Sequence, residues 1–207
     1  MRNACWLLAM ACLAACADPE KERLKKTTVP TYDKTTGRLK QLTHDMNKNG
    51  KIDTWVEMNG ALPVSAKADL NEDGKLDRWE YYDEQGKLIK VGFSRTDAGK
   101  PDAWAFSGPD GKVQRIEISS LGDDKKIDRI EYYEADALVR AEDDTDQNGV
   151  IDKWSAYENG ALKTAAFDEN GDKRPDRRLT YNGADLVLIE TEPDGSGVYT
   201  KRVEVKK

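Results

Sequence analysis

The chain has 207 residues, of which 35% are charged and 38% are hydrophobic, and its formal net charge at pH 7 is -6. An acidic chain without a basic stripe disfavours nucleic acid as a partner. The high charge content would suit disorder, but five Trp and eight Tyr argue against it. The composition therefore predicts a folded, polar protein that does not bind nucleic acid.

The first 15 residues have the features of a secretory signal peptide. Arg2 supplies a positive charge, residues 4–15 form an apolar run, and small residues precede the end of that run. The run is shorter than the about 20 residues that a transmembrane helix needs, and the charged stretch ADPEKERLKK follows it. We therefore expect residues 1–15 to be removed rather than to span a membrane.

The signal ends in the motif LAAC, whose last residue is Cys16. This motif resembles the lipobox of bacterial lipoproteins, in which the Cys carries covalent lipid and becomes the first residue. Cys5 and Cys12 would leave with the signal, so the mature chain keeps a single thiol, and lipidation accounts for it. The alternative is an ordinary signal peptide that is cleaved after residue 15 or residue 17.

The residue after the lipidated Cys indicates the membrane. In the lipoproteins that this lipobox resembles, an Asp directly after the Cys retains the protein in the inner membrane, whereas here that residue is Ala17. The resemblance implies an outer-membrane lipoprotein held by several acyl chains on Cys16. Residues 16–30, with a Lys/Glu cluster between two Pro, predict a tether.

Residues 31–207 form a repeat domain with a period of 24–26 residues. Degenerate units at both ends are typical of a capped repeat array. In each copy an Asp/Asn/Gly loop leads into a stretch such as IDTWVEM, then a turn containing NG, EQG or PDG, then a second stretch such as KLIKVGF. The copies begin at Asp45, Asp69, Ser94, Ser120, Asp144 and Asp168.

Aromatic and β-branched residues between Gly, Asn and Asp predict strands joined by hairpin turns. The half-unit YDKTTGRL, echoed by YYDEQGKL, also resembles the YD-type (Rhs) repeats of secreted bacterial proteins. The sequence therefore predicts an all-β fold, a tandem array of six to seven antiparallel β-hairpins that is either solenoid-like or one extended sheet.

The loops follow the pattern Asp-x-Asn-x-(Asn/Asp)-Gly-x-(Ile/Leu)-Asp, which resembles the calcium loops of EF-hand, dockerin and thrombospondin type 3 repeats. Oxygens at alternate positions can converge on one calcium ion, and Gly at position 6 permits the sharp reversal between them. The resemblance implies calcium in at least two loops. The ligands that it implies in the first, second and fifth copies are Asp45, Asn47, Asn49, Asp53, Asp69, Asn71, Asp73, Asp77, Asp144, Asp146, Asn148 and Asp152.

The remaining loops match less well. The third and fourth copies lack most side-chain ligands, so we expect no ion there. The sixth copy is a further candidate site, although Lys173 stands where Gly is expected and Gly171 comes two positions early. The ligands in the sixth copy would be Asp168, Asn170, Asp172 and Asp176.

The loops also have a metal-free interpretation, because Asp, Asn and Gly are what tight turns require. Among the well-matched loops only Glu80 stands at position 12, where the helical calcium families have a bidentate Glu. In the other loops the coordination sphere of the calcium ion would have to be completed by backbone carbonyls, water or the adjacent repeat. We therefore expect weak binding, with a dissociation constant of about 10⁻⁴–10⁻³ M. The Asp at position 9 occurs in all six copies, which predicts that it accepts backbone N–H bonds.

Four Trp occupy one slot of the repeat, replaced by Ile130 and Arg178 in the other two copies. The Ile favours a partly buried row that packs along the array, since large rings supply the apolar area that a thin β-structure needs. The alternative is an exposed ladder that binds glycans or peptidoglycan. The Trp residues are Trp55, Trp79, Trp104 and Trp154, and Tyr82, Tyr133, Tyr157 and Tyr181 recur three residues after the slot.

No catalytic constellation is present in the sequence. His44 is the only histidine and is expected to be a solvated loop residue, and no nucleophile signature or phosphate-binding Gly loop occurs. The sequence therefore predicts a non-enzymatic, lipid-anchored repeat protein of the cell envelope with a protein or glycan partner. Its expected role is adhesion or assembly of an envelope complex. The alternative is a glycan- or peptidoglycan-binding protein whose loops are metal-free turns.

Overall fold

The computed structural model describes residues 27–122 and 126–206, and the fold there is all-β, as predicted. Fifteen antiparallel strands form one open sheet in which each strand pairs with its neighbours in the sequence. The predicted signal peptide, Cys16 and most of the tether lie outside the described residues. The strands are β1 (Thr28–Tyr32), β2 (Leu39–His44), β3 (Thr54–Asn59), β4 (Leu62–Ala68), β5 (Arg78–Tyr82), β6 (Leu88–Phe93), β7 (Ala103–Ser107), β8 (Val113–Ile118), β9 (Arg129–Glu134), β10 (Ala137–Asp143), β11 (Lys153–Glu158), β12 (Ala161–Phe167), β13 (Arg177–Asn182), β14 (Asp185–Pro193) and β15 (Tyr199–Glu204).

The array contains seven hairpins, β1–β2 through β13–β14, followed by β15. Strand β1 begins at Thr28, so the sheet takes in three residues that the sequence assigns to the tether. Because the strands form a simple meander, all six Asp-rich loops lie at the same end of the strands, a side of the sheet that we call the loop edge. The tight turns of the seven hairpins lie at the opposite edge.

Each of the seven hairpins contains one register shift close to its turn, as between Glu57 and Met58 in β3–β4. The six pairings that meet at the Asp-rich loops have none. Such bulges increase the local right-handed twist of a strand pair. Pro63 lies at the bulge of β3–β4 and Pro30 lies on the edge strand β1, positions where a missing N–H is tolerated.

Paired residues of neighbouring strands point to the same side, so the register divides the side chains between two faces. One cross-strand row contains all four Trp of the repeat slot together with Ile130 and Arg178, and we call that side the tryptophan face. The opposite side, which we call the alanine face, has a central cross-strand row in which Ala recurs and which also contains Glu80 and Glu131. Its most deeply buried members are Val91, Ala105, Ala141, Ser155 and Ala165.

The recurrent Tyr lie on the alanine face, not beside the Trp. The Tyr82 hydroxyl donates to Glu80 at 2.5 Å and the Tyr133 hydroxyl donates to Glu131 at 2.7 Å, and both Glu belong to the alanine-face row. On the tryptophan face only Trp104 among the four is fully buried, with 8% of its surface exposed. Its ring lies against Gly92, where an added Cβ would be 2.6 Å from Cζ3.

Candidate functional site

Five of the six loops, all except the fourth, share one backbone conformation. We number loop positions from the first residue of each copy, so that position 1 is Asp45 and position 9 is Asp53 in the first loop. Positions 4 and 6 are left-handed in the first loop, at Lys48 (φ 65°) and Gly50 (φ 94°). The second, third and fifth loops repeat this pattern, with a non-Gly residue at position 4 and Gly at position 6.

The sixth loop keeps this conformation despite its exchanged residues. Gly171 takes the left-handed conformation at position 4 (φ 81°) and Lys173 takes it at position 6 (φ 69°). The Lys173 N–H donates to Asp168 Oδ2 at 2.7 Å, as the position 6 N–H does in the first loop. The early Gly therefore does not disrupt the turn.

The fourth loop begins one residue earlier than its sequence suggests. In the second, third, fifth and sixth loops the N–H at position 1 donates to the carbonyl of the preceding position 9 Asp, and in this copy the donor is Ser119, which bonds to the carbonyl of Asp102. The loop from Ser119 to Asp128 is thus one residue longer than the others. The prediction that this copy begins at Ser120, eight residues before Asp128, is therefore wrong by one residue.

The position 9 carboxylates close the loops, as the sequence predicts. Asp53 accepts the backbone N–H of Met46 at 2.9 Å, and Asp102 accepts those of Arg95 and Thr96, both at 2.8 Å. Each position 9 Asp accepts at least one backbone N–H from the start of its own loop. These bonds are present in loops with and without the other candidate ligands, so this carboxylate has a structural role in every copy.

The position 1 carboxylates accept hydrogen bonds from the later part of the loop. In the fifth loop Asp144 accepts the N–H groups of Asn148 at 3.1 Å and Gly149 at 2.7 Å. In the second loop Asp69 Oδ2 accepts the N–H of Gly74 at 3.0 Å, while Asp69 Oδ1 is shielded from solvent and has no hydrogen-bond partner. That oxygen keeps its lone pairs available for a ligand.

Carboxylates converge most closely in the fifth loop. Oxygens of Asp144, Asp146 and Asp152 all lie within 4.8 Å of one another, which makes this the one acidic group with metal-ligand spacing in the part of the chain that the structure describes. Of the sixteen residues that the sequence nominates, these three are thus brought together as a set. The first loop offers two carboxylates and two Asn amides instead.

A residue that the sequence did not nominate links the first two loops. Glu72, at position 4 of the second loop, accepts a hydrogen bond from Asn47 Nδ2 at 2.5 Å and another from Asn49, and forms an ion pair with Lys51 at 3.3 Å. The bond from Asn47 lowers the pKa of Glu72 below its usual value. The adjacent repeat therefore places a charged oxygen beside the first loop.

Other loop carboxylates are held in the ionised form by backbone donors. The Lys75 N–H lowers the pKa of Asp73 below its usual value. Burial raises the pKa of Asp168, but the N–H groups of Lys173 and Gly171 outweigh this effect and lower it overall. Ionised oxygens surrounded by N–H donors are typical of both metal-free Asp turns and calcium loops.

The tryptophan face carries cations over several of its rings. Lys90 lies 3.7 Å from the centre of the Trp104 ring, Arg115 lies 4.4 Å from Phe106, and Arg140 lies 3.9 Å from Tyr132. Such contacts engage the ring face that a sugar would otherwise use. Within residues 27–122 and 126–206 no cation lies over Trp79, and Trp55 has only Lys67 at 6.0 Å.

A groove of about 210 Å³ lies between these two Trp on strands β3 to β5. Trp55 and Trp79 both face Lys67 across the intervening strand β4, so they stand two strands apart. The other side chains of the tryptophan face that line the groove are Glu57, Ser65 and Tyr81.

His44 is not a loop residue. It is the last residue of β2, it is half-buried, and its Nδ1 is 2.7 Å from the Thr28 hydroxyl on β1. This contact ties the first hairpin together at the loop edge.

No family model and no curated protein sequence matches this chain. Similar solved structures include accessory secretory protein 1,2 and 3 in Streptococcus pneumoniae, at 15% identity and TM-score 0.38 over 52% of this chain and 19% of that chain. A mutant of S. aureus TarM in complex with fondaparinux, alpha-GlcNAc-glycerol and UDP is similar at 15% identity and TM-score 0.36, over 51% and 22%.

A second TarM structure is similar at 16% identity and TM-score 0.36, again over 51% of this chain and 22% of that chain. The chain therefore spans about a fifth of the length of these proteins. Similarity at this level carries no argument about function. In the described part of the chain no helix is long and apolar enough to cross a membrane.

Proposed function

We propose that this protein is a non-enzymatic lipoprotein of the outer membrane, held by lipid on Cys16, whose β-hairpin array is a structural and interaction module of the cell envelope. Calcium in the Asp-rich loops stiffens the array along its loop edge. The observation that carries this proposal is the fifth loop, where three carboxylates have oxygens within 4.8 Å of one another.

The loop residues fit a calcium ion by their chemistry. Calcium prefers carboxylate, amide and carbonyl oxygens, and Asp144, Asp146, Asn148 and Asp152 supply such oxygens. The unpartnered, shielded Oδ1 of Asp69 in the second loop supports the same interpretation, since a buried carboxylate oxygen without a hydrogen bond is costly unless a ligand satisfies it. An ion would neutralise carboxylates that otherwise repel one another.

The shape of the array supports an interaction role. A single-layer sheet of 15 strands exposes a large area relative to its volume, and both faces are lined by aromatic and charged side chains. Lipidation through the LAAC motif would hold this surface at a membrane, although Cys16 lies outside the described residues.

Calcium-dependent stability tests the proposal. We would follow thermal unfolding of residues 16–207 carrying Cys16→Ser, first with calcium chloride and then with excess chelator. A calcium concentration of about 1 mM is about tenfold above the expected Kd of about 10⁻⁴ M. A ligand that binds only the folded state adds RT ln(1 + [L]/Kd), about 1.4 kcal/mol per occupied loop under these conditions. The midpoint should rise in calcium and not in magnesium.

Asp146→Ala is the informative variant, because Asp146 is exposed and its hydrogen bonds are confined to Asn148. It should reduce the calcium-dependent rise and leave the midpoint in chelator nearly unchanged. Asp97→Asn is the matched control, since Asp97 is an exposed Asp in the third loop, which lacks the ligand set, and Asn tolerates its left-handed backbone (φ 55°). Coincident curves in calcium and chelator would mean that the loops are metal-free turns.

A further inference from the structure

The space between Trp55 and Trp79 differs from the space between Trp79 and Trp104. Trp79, Gly92 and Trp104 are likewise neighbours across three strands, but there the Trp104 ring lies on Gly92 and fills the space. Between Trp55 and Trp79 the intervening residue is Lys67, whose long exposed side chain leaves the two rings apart. The copies are therefore not equivalent, and one of them contains a recess.

From this geometry we infer that the groove binds one pyranose ring of an uncharged polysaccharide. This inference names a partner class for the proposed interaction module and rests on that proposal. The backbones at Trp55 and Trp79 are two strand spacings apart, about 9.5 Å, and both side chains line the groove. The volume of about 210 Å³ is below the about 300 Å³ at which drug-sized pockets begin, which suits a single sugar unit.

The lining matches the two kinds of surface that a sugar ring presents. The C–H face of a pyranose packs on a flat aromatic wall, and the hydroxyls on its rim need hydrogen-bond partners. Glu57 offers an acceptor, Lys67 a donor and Ser65 both, and all three line the groove. Because the Glu and the Lys carry opposite charges, the groove favours an uncharged sugar over a polyanion.

Other partner classes fit this groove less well. A peptide that binds by strand addition needs a free sheet edge, but the backbones of β3, β4 and β5 are paired with one another at the groove. Nucleic acid would need several cations, whereas the groove has one Lys beside a Glu. Trp55 and Trp79 also remain open to a ligand, since no cation lies over Trp79 in the described residues and Lys67 is 6.0 Å from the centre of the Trp55 ring.

The test is binding of soluble neutral oligosaccharides to residues 16–207 carrying Cys16→Ser. We would titrate cellohexaose and chitohexaose by calorimetry and by quenching of Trp fluorescence. Saturable binding of either probe is expected. Trp79→Ala and Trp55→Ala should each weaken it about tenfold, since each removes one stacking wall. Lys67→Met should weaken it as well and keep the stem that separates the rings.

Trp154→Ala is the matched control, because Trp154 occupies the same slot on the same face outside the groove. It should leave the affinity within about twofold, since stacking acts through direct contact. Thermal midpoints of all variants would show that each is folded, and Trp79→Phe should retain part of the affinity. Absence of binding to both neutral probes, binding only to a polyanion such as alginate, or equal loss in Trp154→Ala would overturn the inference.

The same titrations in calcium and in chelator separate this inference from the proposed function. Calcium-dependent stability without sugar binding would overturn the inferred sugar site and leave the proposal of a calcium-stiffened array standing. Sugar binding without any calcium effect would support the groove and show that the loops are metal-free.

Discussion

Asp102 shows how a single carboxylate closes a loop without metal. It is fully buried, with 0% of its surface exposed, and its oxygens accept the N–H groups of Arg95 and Thr96 and the Thr96 hydroxyl at 2.7–2.8 Å. Asp102→Ala would leave three donors without their acceptor. Because a buried donor left unsatisfied costs about 1–3 kcal/mol, we expect a loss of about 2–4 kcal/mol after partial rehydration, measured by urea unfolding.

Asp97→Asn is the control for Asp102→Ala in the same loop, because Ala would strain the left-handed backbone of Asp97 (φ 55°). The Asp97 side chain is exposed and its ion pair with Lys75, at 3.3 Å, lies in solvent. Exposed pairs of this kind contribute about 0–1 kcal/mol, so the urea midpoint should barely change. Equal losses in the two variants would show that Asp102 has no special role in closing the loop.

The raised pKa values of Tyr82 and Tyr133 lead us to expect a loss of stability at alkaline pH. Burial, followed by the hydrogen bonds to Glu80 and Glu131, raises the pKa of both phenols to about 12. Between the unfolded pKa of about 10 and this value the folded chain holds protons that the unfolded chain has released, so the free energy of unfolding falls as pH rises.

The alkaline effect can be followed by unfolding at pH values from about 9 to 12, with the tyrosinate absorbance as a second readout. Tyr82→Phe should reduce the slope of stability against pH over that range. Tyr81→Phe is the control, since Tyr81 lies on the tryptophan face and is 41% exposed. A slope that the Tyr81 variant changes as much as the Tyr82 variant would contradict the assignment.

Strands β6 and β7 show how one residue decides the packing of an element. A Cβ at position 92 would lie 2.6 Å from Trp104 Cζ3 and 2.9 Å from Cη2, so the ring must move off the sheet in Gly92→Ala. Overpacking of this kind costs about 1–3 kcal/mol. We expect a lower thermal midpoint, together with a change in Trp fluorescence as the ring becomes exposed.

Gly195→Ala provides the control for the strand substitution. Nothing lies within 4 Å of a Cβ built at position 195, and its backbone is not left-handed. The substitution should change the free energy of unfolding by no more than an ordinary surface change does, about 0.5 kcal/mol, and should leave the thermal midpoint nearly unchanged. If Gly92→Ala behaved in the same way, the Trp104 ring would have to occupy another position in solution.

The strands and turns could be predicted from the sequence because the same strand and turn patterns recur in every copy of the repeat. The row of Trp55, Trp79, Trp104 and Trp154 was also evident, since one slot recurs in register. The alternation of side chains placed Tyr82 opposite the Trp, because an offset of three residues changes the face of a strand.

Other features depend on contacts between copies and could not be deduced from one unit. The loop that starts at Ser119 contains an extra residue, and only the bond to Asp102 identifies its first position. The contact of Glu72 with the first loop joins residues about 25 positions apart in the chain, at a loop position with no fixed residue type. The groove beside Lys67 depends on the residue that lies between two Trp of the row. At Gly92, between Trp79 and Trp104, the Trp104 ring fills the corresponding space.

At the scale of the whole molecule the sheet behaves as a one-dimensional array. All substantial contacts between strands in the described part of the chain join consecutive strands. Stability should therefore be a sum over repeats and their neighbouring interfaces. Removing one complete repeat should shorten the array without unfolding it.

Deletion of residues 144–167, one complete repeat, tests this additivity. It removes the fifth loop, β11 and β12, so that Asp168 takes the position of Asp144 and Arg177 takes that of Lys153 opposite Asp143. The charge pair at this position is preserved. We expect a folded β-protein by circular dichroism, with a midpoint only a few degrees lower, because each remaining strand keeps two neighbours.

Deletion of residues 159–167 is the contrasting variant, because it removes only β12 and its turn. Strand β11 would then end at the wrong edge, and the sixth loop would lose its contact with the carbonyl of Phe167, which accepts the N–H of Asp176 at 2.7 Å. We expect this shorter deletion to be much the more destabilising of the two, because it breaks the alternation on which every later strand depends. If the complete-repeat deletion unfolded the protein as fully as this one, stability would have to be a cooperative property of the entire sheet rather than a sum over neighbouring repeats.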